Sequence, residues 1–111
     1  MAYTEKPLIA GSALTAAAAG YYTVPAATTT IVKEIEICNT DSVTRSFTLY
    51  MLPTAGTTPG VSNTMFSSVT MQPNETKIFG LTRVLTAGNT ISAFASQAGV
   101  VAINASGVER T

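Results

Sequence analysis

The chain is predicted to be all-β: a single antiparallel β-sandwich, jelly-roll or Ig-like, at residues 13–111, preceded by an extended N-terminal arm at residues 1–12. Three observations carry this. Residues 29–39 alternate in polarity with a period of two, the mark of a half-buried strand in an antiparallel sheet. Turn signals recur about every 8–12 residues through the second half, as in sandwiches and barrels. Nineteen threonines supply the β-branched side chains that suit a pleated surface. At 111 residues the chain is one domain, large enough to bury a core without a metal or disulfide.

The arm MAYTEKPLIAGS has one strongly apolar pair, Leu8 and Ile9, and ends in Gly11-Ser12. It is expected to pair as an edge strand or to reach a neighbour, with Leu8 and Ile9 as candidate contacts. The alanine run from Ala13 to Ala19 is too short for a stable isolated helix and reads as an extended lead. Tyr21 to Val24 is a short strand stopped by Pro25, which has no N–H for a ladder. After a turn at 26–28, the regular strand from Thr29 to Asn39 sets Ile31, Ile35 and Ile37 on one face and Glu34 and Glu36 on the other. Lys33 breaks the apolar row, and its stem is expected to lie along the core edge.

The next strand runs from Val43 to Leu52. Val43, Phe47, Leu49 and Met51 fall on the inner face, with Arg45 the odd member; Thr44, Ser46, Thr48 and Tyr50 fall on the outer face. If these two strands form a hairpin, facing residues share a face, so the loop must hold an odd number of residues and a two-residue turn at Thr40-Asp41 is excluded. The alternative is a crossover between sheets. Residues 53–64, PTAGTTPGVSNT, have no periodicity and form an exposed loop of a length that is often functional. Thr57, Thr58 and Val61 are its candidate contact residues. Met65 to Met71 is a strand with Val69 and Met71 inward. Residues 72–76 and 86–90 are turns around short strands at 77–81 and 83–85, interrupted near Gly80. Ile91 to Ser96 and Val100 to Val108 complete the sheets.

Composition removes whole classes of function. Six basic and six acidic residues cancel, and the basic ones are scattered singly, so no patch exists to neutralise phosphates and nucleic-acid binding is not expected. Only 11% of the chain is charged, which leaves a free monomer poorly protected against association. There is no histidine, so neither Cys38 nor any serine has an imidazole partner, and the commonest metal ligand is missing. Cys38, the only cysteine, reads as a small apolar strand residue. Glu34 and Glu36 share a wet strand face and read as solvated surface. No glycine-rich phosphate loop is present, and no cofactor is expected. Glu5 and Lys6 interrupt any leader peptide, and no run of residues approaches a membrane span, so no membrane association is expected. Tyr3, Tyr21, Tyr22 and Tyr50 are also ordinary strand residues with one wet end; Tyr50, on the polar face, is the candidate for a surface contact.

Tyr22-Thr23-Val24-Pro25-Ala26, Thr30-Ile31-Val32-Lys33-Glu34-Ile35, Asn39-Thr40 and Phe47-Thr48-Leu49-Tyr50 together resemble small virion proteins of tailed bacteriophages. So do Leu85 to Ala93 and the ending Ser106-Gly107-Val108-Glu109; the resemblance covers residues 21–109. It implies a non-enzymatic β-sandwich subunit built into a virion assembled in the host cytoplasm. The first expectation is a capsid decoration, or cement, protein that stabilises the head and covers joints in the shell. Its partners would be the major capsid protein or other virion proteins and further copies of itself, a trimer being one such form. The alternative is a tail, baseplate or fibre-associated module, structural or host-carbohydrate-binding.

Overall fold

The computed structural model describes residues 2–111. Eight strands form two antiparallel four-stranded sheets packed face to face: β1 (Tyr3–Ala13), β2 (Ala19–Thr23), β3 (Thr29–Asn39), β4 (Arg45–Leu52), β5 (Thr64–Met71), β6 (Thr76–Leu85), β7 (Thr90–Ala95) and β8 (Val101–Arg110). One sheet has the order β1-β8-β3-β6 and the other β2-β7-β4-β5. This interleaving of the first and last strands is a jelly roll, which decides between the two sandwich types the sequence left open. Every connection but one passes from sheet to sheet. The exception is β4 to β5, neighbours in one sheet, and it carries the long loop. Residues 40–44 are therefore a crossover, not a hairpin.

The core lies between the sheets, with Val32, Ile35, Ile37, Leu49, Met71, Ile91 and Ile103 fully buried. At one side Phe47 meets Phe66 and Phe79 edge-on at 6.1 Å, and Phe66 stacks on Phe79 at 4.4 Å. This cluster joins β4 and β5 to β6, so aromatic packing closes the sandwich where the two outermost strands meet.

The N-terminal arm is part of the sandwich. As β1 it pairs along β8 at the sheet edge, and an irregularity between Pro7 and Ile9 turns both Leu8 and Ile9 into the core. Leu8 and Ile9 are thus corrected from candidate contacts to core residues. The segment Leu14 to Ala18 is extended and bent with no helical turn, and Leu14 is fully buried.

β3 has the expected bounds, but its alternation is reset midway. Two positions of β3, Val32 to Glu34, span a single step of β8, Gly107 to Ser106, so Lys33 is a bulge residue. Before the bulge Thr30 and Val32 point inward; after it Ile35, Ile37 and Asn39 do. Ile31 therefore faces outward, against the expectation, and Lys33 is exposed rather than laid along the core edge. The bulge brings β8 so close that a Cβ on Gly107 would stand 2.1 Å from the Ile31 carbonyl oxygen, which only glycine avoids. Val43 precedes β4 and is 46% exposed, also against expectation. The interruption expected near Gly80 is a further irregularity inside one continuous strand, β6, where residues 80–83 span the bulged Lys33.

Candidate functional site

Two surfaces concentrate the residues singled out from sequence. The first is the β4–β5 loop. Its end is a 3-10 turn, Val61–Asn63, held by its own side chains: the Gly60 N–H donates to Asn63 Oδ1 at 2.8 Å and the Thr64 hydroxyl donates to the Gly60 carbonyl at 2.7 Å. Thr54 and Thr57 share a hydrogen bond at 2.9 Å nearer the start of the loop. The turn presents Val61 with 97% of its surface exposed, and Thr58 is exposed beside it. An apolar side chain on an ordered, uncharged projection is set out for contact, since its loop has already lost much of the freedom that binding would cost.

The second surface is a cleft of about 470 Å³ between that loop and the edge strand β2. Ala55, Thr57 and Pro59 form one wall and β2 the other, over a floor of Leu52, Thr90 and Ser92. None of its lining residues is charged. Gly20 lets β2 lie close against that floor, because a Cβ there would stand 3.1 Å from Thr90 Cγ2. Thr23 and Thr90 share a hydroxyl hydrogen bond at 3.0 Å. Tyr50, the register partner of Ser92, lies next to the cleft with its ring tilted on Phe94 at 6.2 Å. Thr57 also lines a smaller cleft of about 370 Å³ on the other side of the loop, beside Arg83 and Asn89. Of the six candidate contact residues, then, Thr57, Thr58 and Val61 come together on one loop, Tyr50 flanks it, and Leu8 and Ile9 are in the core.

Sequence reasoning missed a polar chain between the sheets. The Tyr22 phenol of β2 is hydrogen-bonded to the Thr30 hydroxyl of β3 at 2.7 Å and donates to Glu109 Oε2 of β8. Lys6 of β1 donates to the other Glu109 oxygen at 3.2 Å. Burial and the neighbouring carboxylate push the Tyr22 phenol up to about 12, and the hydrogen bond from Tyr22 holds Glu109 below the usual carboxylate range, with Lys6 adding to it. The signal was available only as parity: Glu109 lies on the inner face of β8 with Val101, Ile103, Ala105 and Gly107.

Asn39 is the second internal polar centre. Fully buried at the end of β3, its amide nitrogen donates to the carbonyls of Val43, Met71 and Gln72 at 3.0–3.2 Å, and its oxygen accepts from the Asp41 N–H at 3.1 Å. It locks the 40–44 crossover to the β5–β6 turn. The Arg45 guanidinium, 2.7 Å away, holds the Asp41 carboxyl below its ordinary value. Among the described residues every buried side-chain polar atom has a hydrogen-bond partner, and no three His, Cys, Asp or Glu side chains are grouped to hold a metal ion. No family model, curated protein or solved structure matches the chain.

Proposed function

We propose that this chain is a non-enzymatic structural protein of a tailed-phage virion, a decoration subunit that docks on the major capsid protein and stabilises the head. The observation that supports it most is the ordered β4–β5 projection with Val61 almost wholly exposed at its tip. Such a knob suits insertion into a recess of a larger assembly, where its burial contributes about 1.5–3 kcal/mol per copy. Each buried side-chain polar atom among the described residues has a hydrogen-bond partner within the chain, which is compatible with a partner being met at the surface. Jelly rolls serve in capsid shells and in lectins, so the architecture is compatible with both a shell role and sugar binding.

The experiment is immunolabelling of purified virions combined with a heat challenge. Label spread over the head, and heads that lose heat resistance when the chain carries Val61→Asp, is the expected result. Label confined to the tail tip overturns the head assignment.

The uncharged cleft beside Tyr50 favours a second reading, a tail or baseplate module that binds a neutral host carbohydrate. Its test is binding of the isolated chain to host cells: Tyr50→Ala should abolish it, and undiminished binding by that variant excludes the reading.

A further inference from the structure

We infer that the smaller cleft, the one of about 370 Å³ between the β4–β5 loop and β6, binds a small organic carboxylate through Arg83. This rests neither on the virion reading nor on sugar binding at the cleft beside β2. Arg83 stands at an unusual place for a cation. On the edge strand β6 it is paired with Val32, and Leu85, two positions on, is paired with Thr30. Val32, Leu85 and Thr30 are buried between the sheets, so the Arg83 side chain leaves β6 on its core-facing side, at the mouth of the sandwich. It is exposed there, and no carboxylate answers it. Lys6, Arg45 and Lys77 pair with Glu109, Asp41 and Glu75; Arg83 has no such partner among the described residues. An inward-pointing cation can keep an edge strand from pairing with another chain, but Lys77, opposite Ile37, already supplies one on the same face of β6.

The other wall of the cleft is built from spent acceptors and spare donors. Asn63 Oδ1 is taken by the Gly60 N–H, which leaves the amide nitrogen for a ligand. Asn89 is used at both ends: its oxygen accepts from the Thr86 N–H, and its nitrogen donates to the Pro53 carbonyl and occupies that acceptor too. Ser62 adds a hydroxyl. Guanidinium, amide and hydroxyl therefore line one cleft with no acidic residue among them, over an apolar base of Met51, Leu52 and Leu85. One planar, delocalised cation matches one carboxylate, held by two parallel hydrogen bonds, better than it matches a dianion such as phosphate. The loop is ordered by its own hydrogen bonds, so these donors need little rearrangement to meet a ligand. The volume lies at the lower end of the roughly 300–1,000 Å³ of small-molecule sites, room for one ring bearing one acid group.

The test is an NMR titration of the intact, nitrogen-15-labelled chain at fixed ionic strength with glucuronate, cyclohexanecarboxylate, glucose and inorganic phosphate. The two carboxylates should give saturable shifts at the Arg83 side-chain N–H and at Ser62 and Asn63, with Kd of about 1 mM. Glucose and phosphate should bind at least about tenfold more weakly. Arg83→Gln should weaken carboxylate binding about tenfold or more with an unchanged thermal midpoint, since the side chain is exposed. Arg83→Lys, which keeps the charge and loses the fork, should fall between the two. Glucuronate binding more tightly than cyclohexanecarboxylate identifies an acidic sugar as the class of ligand, and the reverse order a hydrocarbon acid; either supports the site. Three results overturn it: no saturable shift with either carboxylate, shifts that persist undiminished in Arg83→Gln, or glucose or phosphate binding as tightly as the carboxylates.

Discussion

Tyr22 on β2 donates its phenol proton to Glu109 on β8, so one hydrogen bond spans the two sheets and holds a carboxylate between them. Thr30 and Lys6 complete the chain, which therefore touches β1, β2, β3 and β8. Tyr22→Phe keeps the ring and removes the bond. It should lower stability by about 1–2 kcal/mol at neutral pH in urea unfolding.

The same pair contributes at both ends of the pH profile, with Asp41 adding to the acid end. Tyr22 has its phenol raised from 10.0 to about 12, so the fold favours the neutral form. That contribution is intact below pH 10 and is lost as pH rises from about 10 to about 12. Glu109 is lowered from 4.5, so its contribution is present above that value and is lost as pH falls through the lowered one. Thermal midpoints across pH should show both limbs. Tyr22→Phe should flatten the alkaline limb, and Glu109→Gln should reduce the acid limb, leaving the part carried by Asp41.

Asn39→Ala leaves three carbonyls of the 40–44 and 71–72 segments without their donor. The expected loss is about 3 kcal/mol in urea unfolding, since the Met71 oxygen stays buried and the other two are partly so. Asn39→Asp should be worse at neutral pH, because a carboxylate would face those carbonyls. It should recover on acidification as the acid gains a proton to donate, a reversal that wild-type protein lacks.

Gly107 and Gly80 make a matched pair on one sheet. A Cβ at 107 would sit 2.1 Å from the Ile31 carbonyl oxygen, whereas one at 80 meets nothing within 4 Å. Gly107→Ala should cost about 3 kcal/mol or more, because β3 and β8 must separate. Gly80→Ala should be neutral or stabilising by about 0.5 kcal/mol through the unfolded chain.

Asn63→Ala frees the Gly60 N–H and loosens the projection without touching the core. The global unfolding midpoint should hardly move, by about 0.5 kcal/mol at most. Limited proteolysis should instead speed up within residues 53–63, where the fold is least protected.

Most of the architecture was legible because strand alternation and turn chemistry are local. The bounds of β3, the turns near Pro25, Pro73 and Gly88, and the inward positions of Phe47, Leu49, Met51 and Met71 follow from neighbours in sequence. What escaped depends on partners far along the chain. The Lys33 bulge exists because Gly107, 74 positions later, lets β8 approach, and period counting on β3 alone reads it as a flaw in the apolar row. Leu8 and Ile9 looked like free contacts because nothing local reveals that β8 lies beside them. The candidate loop was visible as a loss of periodicity; its opposite wall, β2, was not, since only the sheet order brings it near.

The strand order also governs how the protein can be made. β8 lies between β1 and β3, so neither of those strands has its full set of neighbours until the eighth strand has been synthesised. Folding must wait for long-range closure, which places it among slow, millisecond-to-second folders. Until then β3 offers Ile35 and Ile37 on an unfilled edge to any other nascent copy. Yield in expression should therefore respond to temperature and chaperone supply more than to the stability of the finished sandwich.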